Sequence, residues 1–507
     1  MNQSLSIRAI VVFVIGVVLA LWLGVSIVTD QVETLLKFAG VGLLLFCALI
    51  GRRIWLVVVF LSAINVPLVR GYGTAELGQC LLIGFGVLLL LMRRLPVRFK
   101  MGELEWWRLI LAACIIQVYI RNPVGLGIFG SGQVGGKSYF LAALAFIASF
   151  IYGSLIIPPR EFKWAMYIGF FTSLIGIPIS ELRTRSGIAT IQASELGGQS
   201  TLAEEGAATR LSYLGGVAII LSRWIASHVH PLKACFHPLW APLILLTLAA
   251  AAGSGFRNTI AIVGLTYTIS LAYRGGLASI LLASTLGVFG IGALSIVNSA
   301  APLPPNVQRT LTIFPGTWEK RYKDDAKGSS EWRYEMWKEA LLTDRWIQNK
   351  WLGDGLGQSA AELNRAATLS SLKVNQGISG ISVHQENAMI AGDYHSGPVQ
   401  TIRTVGYVGL AVLIIFMIRI AMHAHRQILR CRGTEWFSIS LYYCIGSIAA
   451  PFIFVFVFGD FGRATVSVFM GSAFLRVLQN NIPLPPYARP RRTPYILQSH
   501  RNGSVAQ

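Results

Sequence analysis

Charge is scarce in this chain. Only 13% of its 507 residues are charged, 54% are hydrophobic and the mean hydropathy is +0.58; a soluble protein carries about 25% charged residues. That excludes an ordinary soluble enzyme and makes lipid the solvent for most of the chain. Acidic residues are the scarcer sign, 23 against 43 Lys and Arg, for a net charge of +20. The excess is not a nucleic-acid footprint. The most polar stretch, 298–401, holds 11 Lys/Arg and 11 Asp/Glu, so the surplus lies in short segments between apolar runs, where orientation rules place it. Six cysteines (Cys47, Cys80, Cys114, Cys235, Cys431, Cys444) avoid that stretch and lack metal-ligand spacing, so neither a disulfide framework nor a zinc site is expected.

Other absences narrow the field. The polar stretch has no Asp-x-Asp pair for a divalent ion: Asp324 and Asp325 are adjacent and Asp354 is isolated. No Ser/His, Asp/Asp or His-Glu-x-x-His set of an intramembrane hydrolase stands in a span. No internal repeat of the kind that builds transporters is evident. Gly132 to Ser138 resembles a phosphate loop, but it falls on the outer side in the topology below, where there is no ATP.

What is present is a break in the apolar pattern. Runs of spanning length are expected near 7–28, 34–50, 54–69, 77–92, 106–120, 138–157, 164–180, 211–227, 239–256, 258–273, 277–297, 402–421, 437–458 and 464–478. The first, with Trp22, is longer than a signal-peptide core and is read as an uncleaved span. The fold expected is an all-α polytopic membrane protein with about 12–14 transmembrane helices and one large, mainly helical loop. It divides into a membrane domain over 1–297, the loop over 298–401, a second membrane segment over 402–478, and a basic Pro-rich tail over 479–507. With the N-terminus inside, the positive clusters (Arg52-Arg53, Arg93 to Lys100, Arg160/Lys163, Arg223/Lys233, Arg274, Arg426 to Arg432, Arg489 to Arg492) fall on the cytoplasmic side. The loop then lies outside, and both termini are cytoplasmic.

Chemistry-bearing residues gather at the outer side. Arg257 stands in Gly253-Ser254-Gly255-Phe256-Arg257-Asn258. A guanidinium at membrane depth needs a reason. It either snorkels to headgroups or forms a fork for a substrate phosphate, with the glycines admitting the ligand. Glu331 to Leu341 reads as a helix whose tryptophans suggest contact with the bilayer surface. Arg333 lies one turn before Trp337 on one face; a solvated partner of an acidic residue is the plainer reading. Trp351-Leu352-Gly353-Asp354-Gly355-Leu356-Gly357 reads as a tight turn without the ending of a phosphate loop. His384 and His395, with Glu386 and Asp393 near in sequence, are candidates for proton transfer, although a lone histidine is more often structural.

In this order the pieces resemble the O-antigen ligase/polymerase superfamily of bacterial envelope proteins. The resemblance rests on Arg257, the Arg333 to Trp337 helix, the Gly355 to Gly357 turn, and His395 eleven residues before Gly406 and Gly409. That spacing selects His395 over His384. There are two departures: Ser396 follows the histidine where Asn is common, and the span count exceeds the usual dozen. The resemblance implies a multi-pass protein of the bacterial inner membrane. It implies transfer of a glycan from undecaprenyl diphosphate to lipid A-core or to a growing polysaccharide on the periplasmic face, without cofactor or metal. Arg257 and Arg333, with Arg210 and Arg463 as further outer-face candidates, would clamp the diphosphate. His395 would deprotonate or orient the acceptor hydroxyl. Ligase and polymerase remain open alternatives, and a lipid-linked sugar transporter or flippase or a non-catalytic scaffold are the rivals.

Overall fold

A computed structural model describes residues 53–64, 66, 72–93, 95–125, 135–185, 211–357, 389 and 392–483. The expected spans at 7–28 and 34–50, the basic tail beyond 483, and the candidates Arg210 and His384 lie outside the described residues.

Among the described residues every regular element is helical, and β contact is confined to isolated bridges such as that between Val97 and Leu155. Apart from a single helical turn at Pro231–Ala234, in chain order they are α1 (Ile54–Ile64), α2 (Thr74–Leu91), α3 (Glu103–Arg121), α4 (Lys137–Gly153), α5 (Pro159–Arg185), α6 (Ser212–His228), α7 (Trp240–Gly253), α8 (Arg257–Ala300), α9 (Pro305–Leu311), α10 (Lys320–Leu342), α11 (Gly397–Cys431), α12 (Phe437–Phe452) and α13 (Phe461–Asn481). Six are long and apolar enough to cross a membrane: α2, α5, α8, α11, α12 with its π-helical extension Ile453–Val457, and α13. α1, α4 and α7 are apolar but shorter. The ends follow local chemistry. The Asp460 carboxylate accepts from the Arg463 N–H at the start of α13 (2.7 Å), and Pro305 and Pro398 sit in the first turns of α9 and α11. Pro451 interrupts the ladder of α12, and the chain continues as the π turn.

Two faces follow from what the helix ends touch. On the first, Leu211 N–H meets Ser254 O (2.9 Å), Arg257 meets Ala326, and Phe461 N–H meets Gln400 (3.0 Å). On the far face, Arg53 pairs with Glu161 (3.0 Å), Lys163 with Glu435 (3.6 Å), and Arg274 caps the carbonyls of Ala226 and Ser227. α8 joins the two. Its 44 residues would reach about 66 Å if straight. Yet Arg257 at one end bonds Ala326, and Asn298 at the other bonds Gln308 (3.3 Å), in a segment tied together by Arg309–Asp325 (2.7 Å). The helix therefore folds back at Gly276 (φ 71°, ψ −165°), and its limbs match the expected runs 258–273 and 277–297. Between the faces the packing uses small residues: Gly153 of α4 lies against Ala473 of α13.

α11 is broken at Gly406 (φ 74°). A regular helix would pair Tyr407 N–H with Arg403 O and Val408 N–H with Thr404 O. The glycine turn supplies all four groups instead. Asp354 and Gly355 N–H donate to Arg403 O (2.6 Å) and Thr404 O (3.1 Å), while Tyr407 and Val408 N–H donate to Lys350 O (2.8 Å) and Trp351 O (3.3 Å). Such substitution is what buried backbone requires. The turn is shaped for it: Gly353, Gly355 and Gly357 all have positive φ. The Asp354 carboxylate accepts from Gln348 and Asn349 N–H (2.8 Å each), and Arg121 donates to Leu352 O (2.9 Å) and Gly353 O (2.7 Å). A Cβ on Gly353 would stand 2.5 Å from Thr404 O, and one on Gly406 would collide with the Trp351 carbonyl. We expect Gly353→Ala and Gly406→Ala each to remove at least about 1–2 kcal/mol through the left-handed backbone alone, read as a lower thermal midpoint in detergent. Gly287→Ala, in open space on α8, should not lower it. Unchanged midpoints for both socket variants would contradict this seating.

Candidate functional site

The loop segment has its own core. Met336 and Ala340 of α10 pack with Ile347, Met389, Tyr394, Val399 and Ile402, and Trp332, Trp337 and Trp346 close its sides. Trp337 was expected against the bilayer surface. It is instead spent inside this core, donating its Nε1–H to Tyr394 O (2.7 Å). That bond fixes Tyr394, and with it Asp393 and His395 on either side, against α10. Burial pushes the Tyr394 phenol up to about 12, so it stays neutral.

Three arginines converge above this core. Arg257 reaches over from α8 to Ala326 O at 3.4 Å. Arg309 of α9 holds Asp325 of α10 at 2.7 Å. The Arg333 Nε is buried without a hydrogen-bond partner among the described residues. Burial, and then the neighbouring charges of Arg257 and Arg309, lower the Arg333 pKa, while Asp393 acts the other way. A guanidinium nonetheless remains charged at any physiological pH. Like charges at this spacing oppose the fold unless an anion joins them, and a buried N–H without an acceptor adds to that cost.

His395 stands beside the cluster. Its Nδ1 is 3.4 Å from Asp393 Oδ1, and Asp393 in turn faces Arg333. The ring lies edge-on to Trp332 (centroids 5.8 Å) and tilted to Phe458 (6.3 Å). His395 is one of two described non-glycine residues with positive φ (50°), a conformation held by its surroundings at some cost and common at functional positions. Phe458 directly follows the π-helical extension of α12, so the ring is framed by the loop on one side and the membrane helices on the other.

Of the residues singled out in the sequence, Arg257, Arg333 and His395 are brought together. Arg463 is on the same face, but its side chain is exposed and its backbone N–H is engaged by Asp460; among the described residues no contact ties it to the other three. Arg210 and His384 are not among the described residues. Arg309 went unnoticed in the sequence, where it is one of 11 cations in the stretch with no motif around it; only the fold of α9 onto α10 selects it. The Gly355 to Gly357 turn serves the socket at Gly406. No family model and no curated protein matches the chain.

Removing one cation tests the electrostatics. In anion-free, low-salt detergent solution, Arg333→Met should leave the thermal midpoint unchanged or raise it by an amount worth up to about 1 kcal/mol, since it deletes both the repulsion and the unbonded Nε. A clear fall would mean that Arg333 stabilises the apo fold through partners of its own.

Proposed function

We propose that the protein is a membrane glycosyltransferase that moves a glycan from undecaprenyl diphosphate to an acceptor hydroxyl on the loop face, as an O-antigen ligase or as a polymerase of the same kind. The observation that carries this is the gathering of Arg257, Arg309 and Arg333 beside the His395–Asp393 pair. Transfer breaks the bond between the anomeric carbon and the diphosphate oxygen. The electron pair leaves with the diphosphate, whose charge three guanidiniums stabilise. The acceptor oxygen forms the new bond to the anomeric carbon, and its proton passes to the imidazole. Asp393 on Nδ1 orients the ring, which leaves Nε2 as the atom that takes the proton.

The far face, among the described residues, bears Arg93, Arg98, Lys100, Arg160, Lys163, Lys233, Arg274, Arg426, Arg430 and Arg432. The positive-inside rule favours the cytoplasm for such a face, which supports a periplasmic loop and, with the donor proposed, a place in the bacterial inner membrane. α1 to α8 and α11 to α13 run alternately between the faces, with the two limbs of α8 as separate passes. With the apolar runs before residue 50, this supports a 12–14-span architecture.

The test is transfer from a lipid-linked oligosaccharide in detergent with EDTA, offering lipid A-core or a second lipid-linked unit as acceptor. Wild type should transfer to one of them. His395→Ala should lose about a hundredfold or more, as should Arg257→Ala and Arg309→Ala. The acceptor that works decides between ligase and polymerase. Folded protein that transfers to neither would overturn the enzyme reading.

A further inference from the structure

A second charged site lies away from this centre. A cavity of about 510 Å³ opens between α1, α5, α6, α12 and α13, walled by apolar side chains with Ser62, Ser173 and Ser180. A single cation, Arg223, lines it. Arg223 is exposed, and among the described residues no carboxylate pairs with it. It sits about 16 Å along α6 from the loop-face end and only about 7 Å from the far-face end at His228. On α5 the lining runs from Ala165 to Ser180, about 22 Å of helix. That is shorter than the roughly 30 Å hydrocarbon core. The cavity is thus a slot with its charge at the far-face end and its apolar length directed toward the loop face.

An unpaired guanidinium in an apolar slot needs an anion, and the polarity of the slot says which way the anion enters. A donor lipid whose diphosphate rests on Arg257 and Arg333 would thread its chain from the opposite end and leave Arg223 facing hydrocarbon. A lipid of the far-face leaflet places its phosphate at Arg223 and one acyl chain along Ser173. We propose that this slot is a binding site for an anionic phospholipid of the far-face leaflet. Its phosphate is held by Arg223, with the Tyr442 side chain beside it, and its chain wedges α5 against α12 and α13. The slot is roomy at Gly169, where an added Cβ would make only ordinary contacts with Val59 and Tyr442.

The test is lipid retention by the full chain, purified, stripped of lipid and titrated with phosphatidylglycerol or phosphatidylcholine, with bound lipid counted by native mass spectrometry. Wild type should retain phosphatidylglycerol about tenfold more tightly. Arg223→Gln should abolish that preference with an unchanged thermal midpoint. Ser173→Phe, which fills the slot and keeps the charge, should weaken retention of both lipids. Equal retention of the two lipids by wild type, or a preference that persists in Arg223→Gln, would overturn the site. Full retention in Ser173→Phe would overturn the seating of the chain. Displacement of phosphatidylglycerol by a polyprenyl phosphate in an Arg223-dependent manner would hand the slot to the donor lipid and overturn the phospholipid as occupant.

Discussion

The seating of the glycine turn in the break of α11 is the contact on which the candidate site depends. A membrane helix cannot leave backbone groups unpaired where water is excluded. α11 does break, and the turn at 350–355 supplies two donors and two acceptors for the two helical bonds lost. Because the partners come from the loop, the loop is docked by backbone geometry rather than by side-chain affinity alone. Arg403 and Thr404, whose carbonyls receive the turn, lie less than three helical turns after His395. The registration of the turn therefore also registers the histidine.

From that docking the rest follows in order. α10 is held over the membrane helices, and Trp337 ties it to Tyr394. Arg333 and Arg309 then face Arg257, which is set by the start of α8. The molecule accumulates like charge at one place and leaves one guanidinium nitrogen buried and unbonded. Elsewhere too an Nε is buried without a hydrogen-bond partner, at Arg108 and Arg476, but there a carboxylate stands among the cations. The fully buried Arg108 is matched by Glu105 at 2.8 Å and by Ser149 O at 3.0 Å, with Phe150 beneath it. Glu105 there serves Arg108 and, at 3.6 Å, Arg476, whereas among the described residues the loop-face cluster gathers three arginines with one bonded carboxylate, Asp325. That excess of positive charge, with Arg257 and Arg309 both acting on Arg333, is the physical argument for an anion there, independent of any resemblance.

Much of the fold was legible in the sequence because apolar length is a strong signal. The limbs of α8 were separable at Arg274–Gly276, where charge and glycine interrupt the run, and the structure folds back there. The 437–458 run is present as α12 with a π turn, since a bilayer tolerates a local adjustment after Pro451. The site was legible only in part. Arg257 and Arg333 stand out by position, one at a span edge and one a turn from a tryptophan. Arg309 does not, because its role comes from tertiary packing of a seven-residue helix. The tryptophans misled in the opposite direction: amphipathic spacing cannot tell a bilayer surface from a neighbouring core, and here the core took Trp337. The glycines were rightly read as a turn, but their partner was a helix break about fifty residues later, which no local pattern encodes.

The most direct measurement of the central claim, that the arginines form one diphosphate site, is a double-mutant cycle. A short-chain prenyl diphosphate would be titrated calorimetrically into wild type, Arg257→Gln, Arg333→Gln and the double variant. Each single change should weaken binding about tenfold or more. The double change should cost less than the product of the two, since residues sharing one ligand are coupled. Binding that survives either single change, or losses that simply multiply, would contradict a shared site.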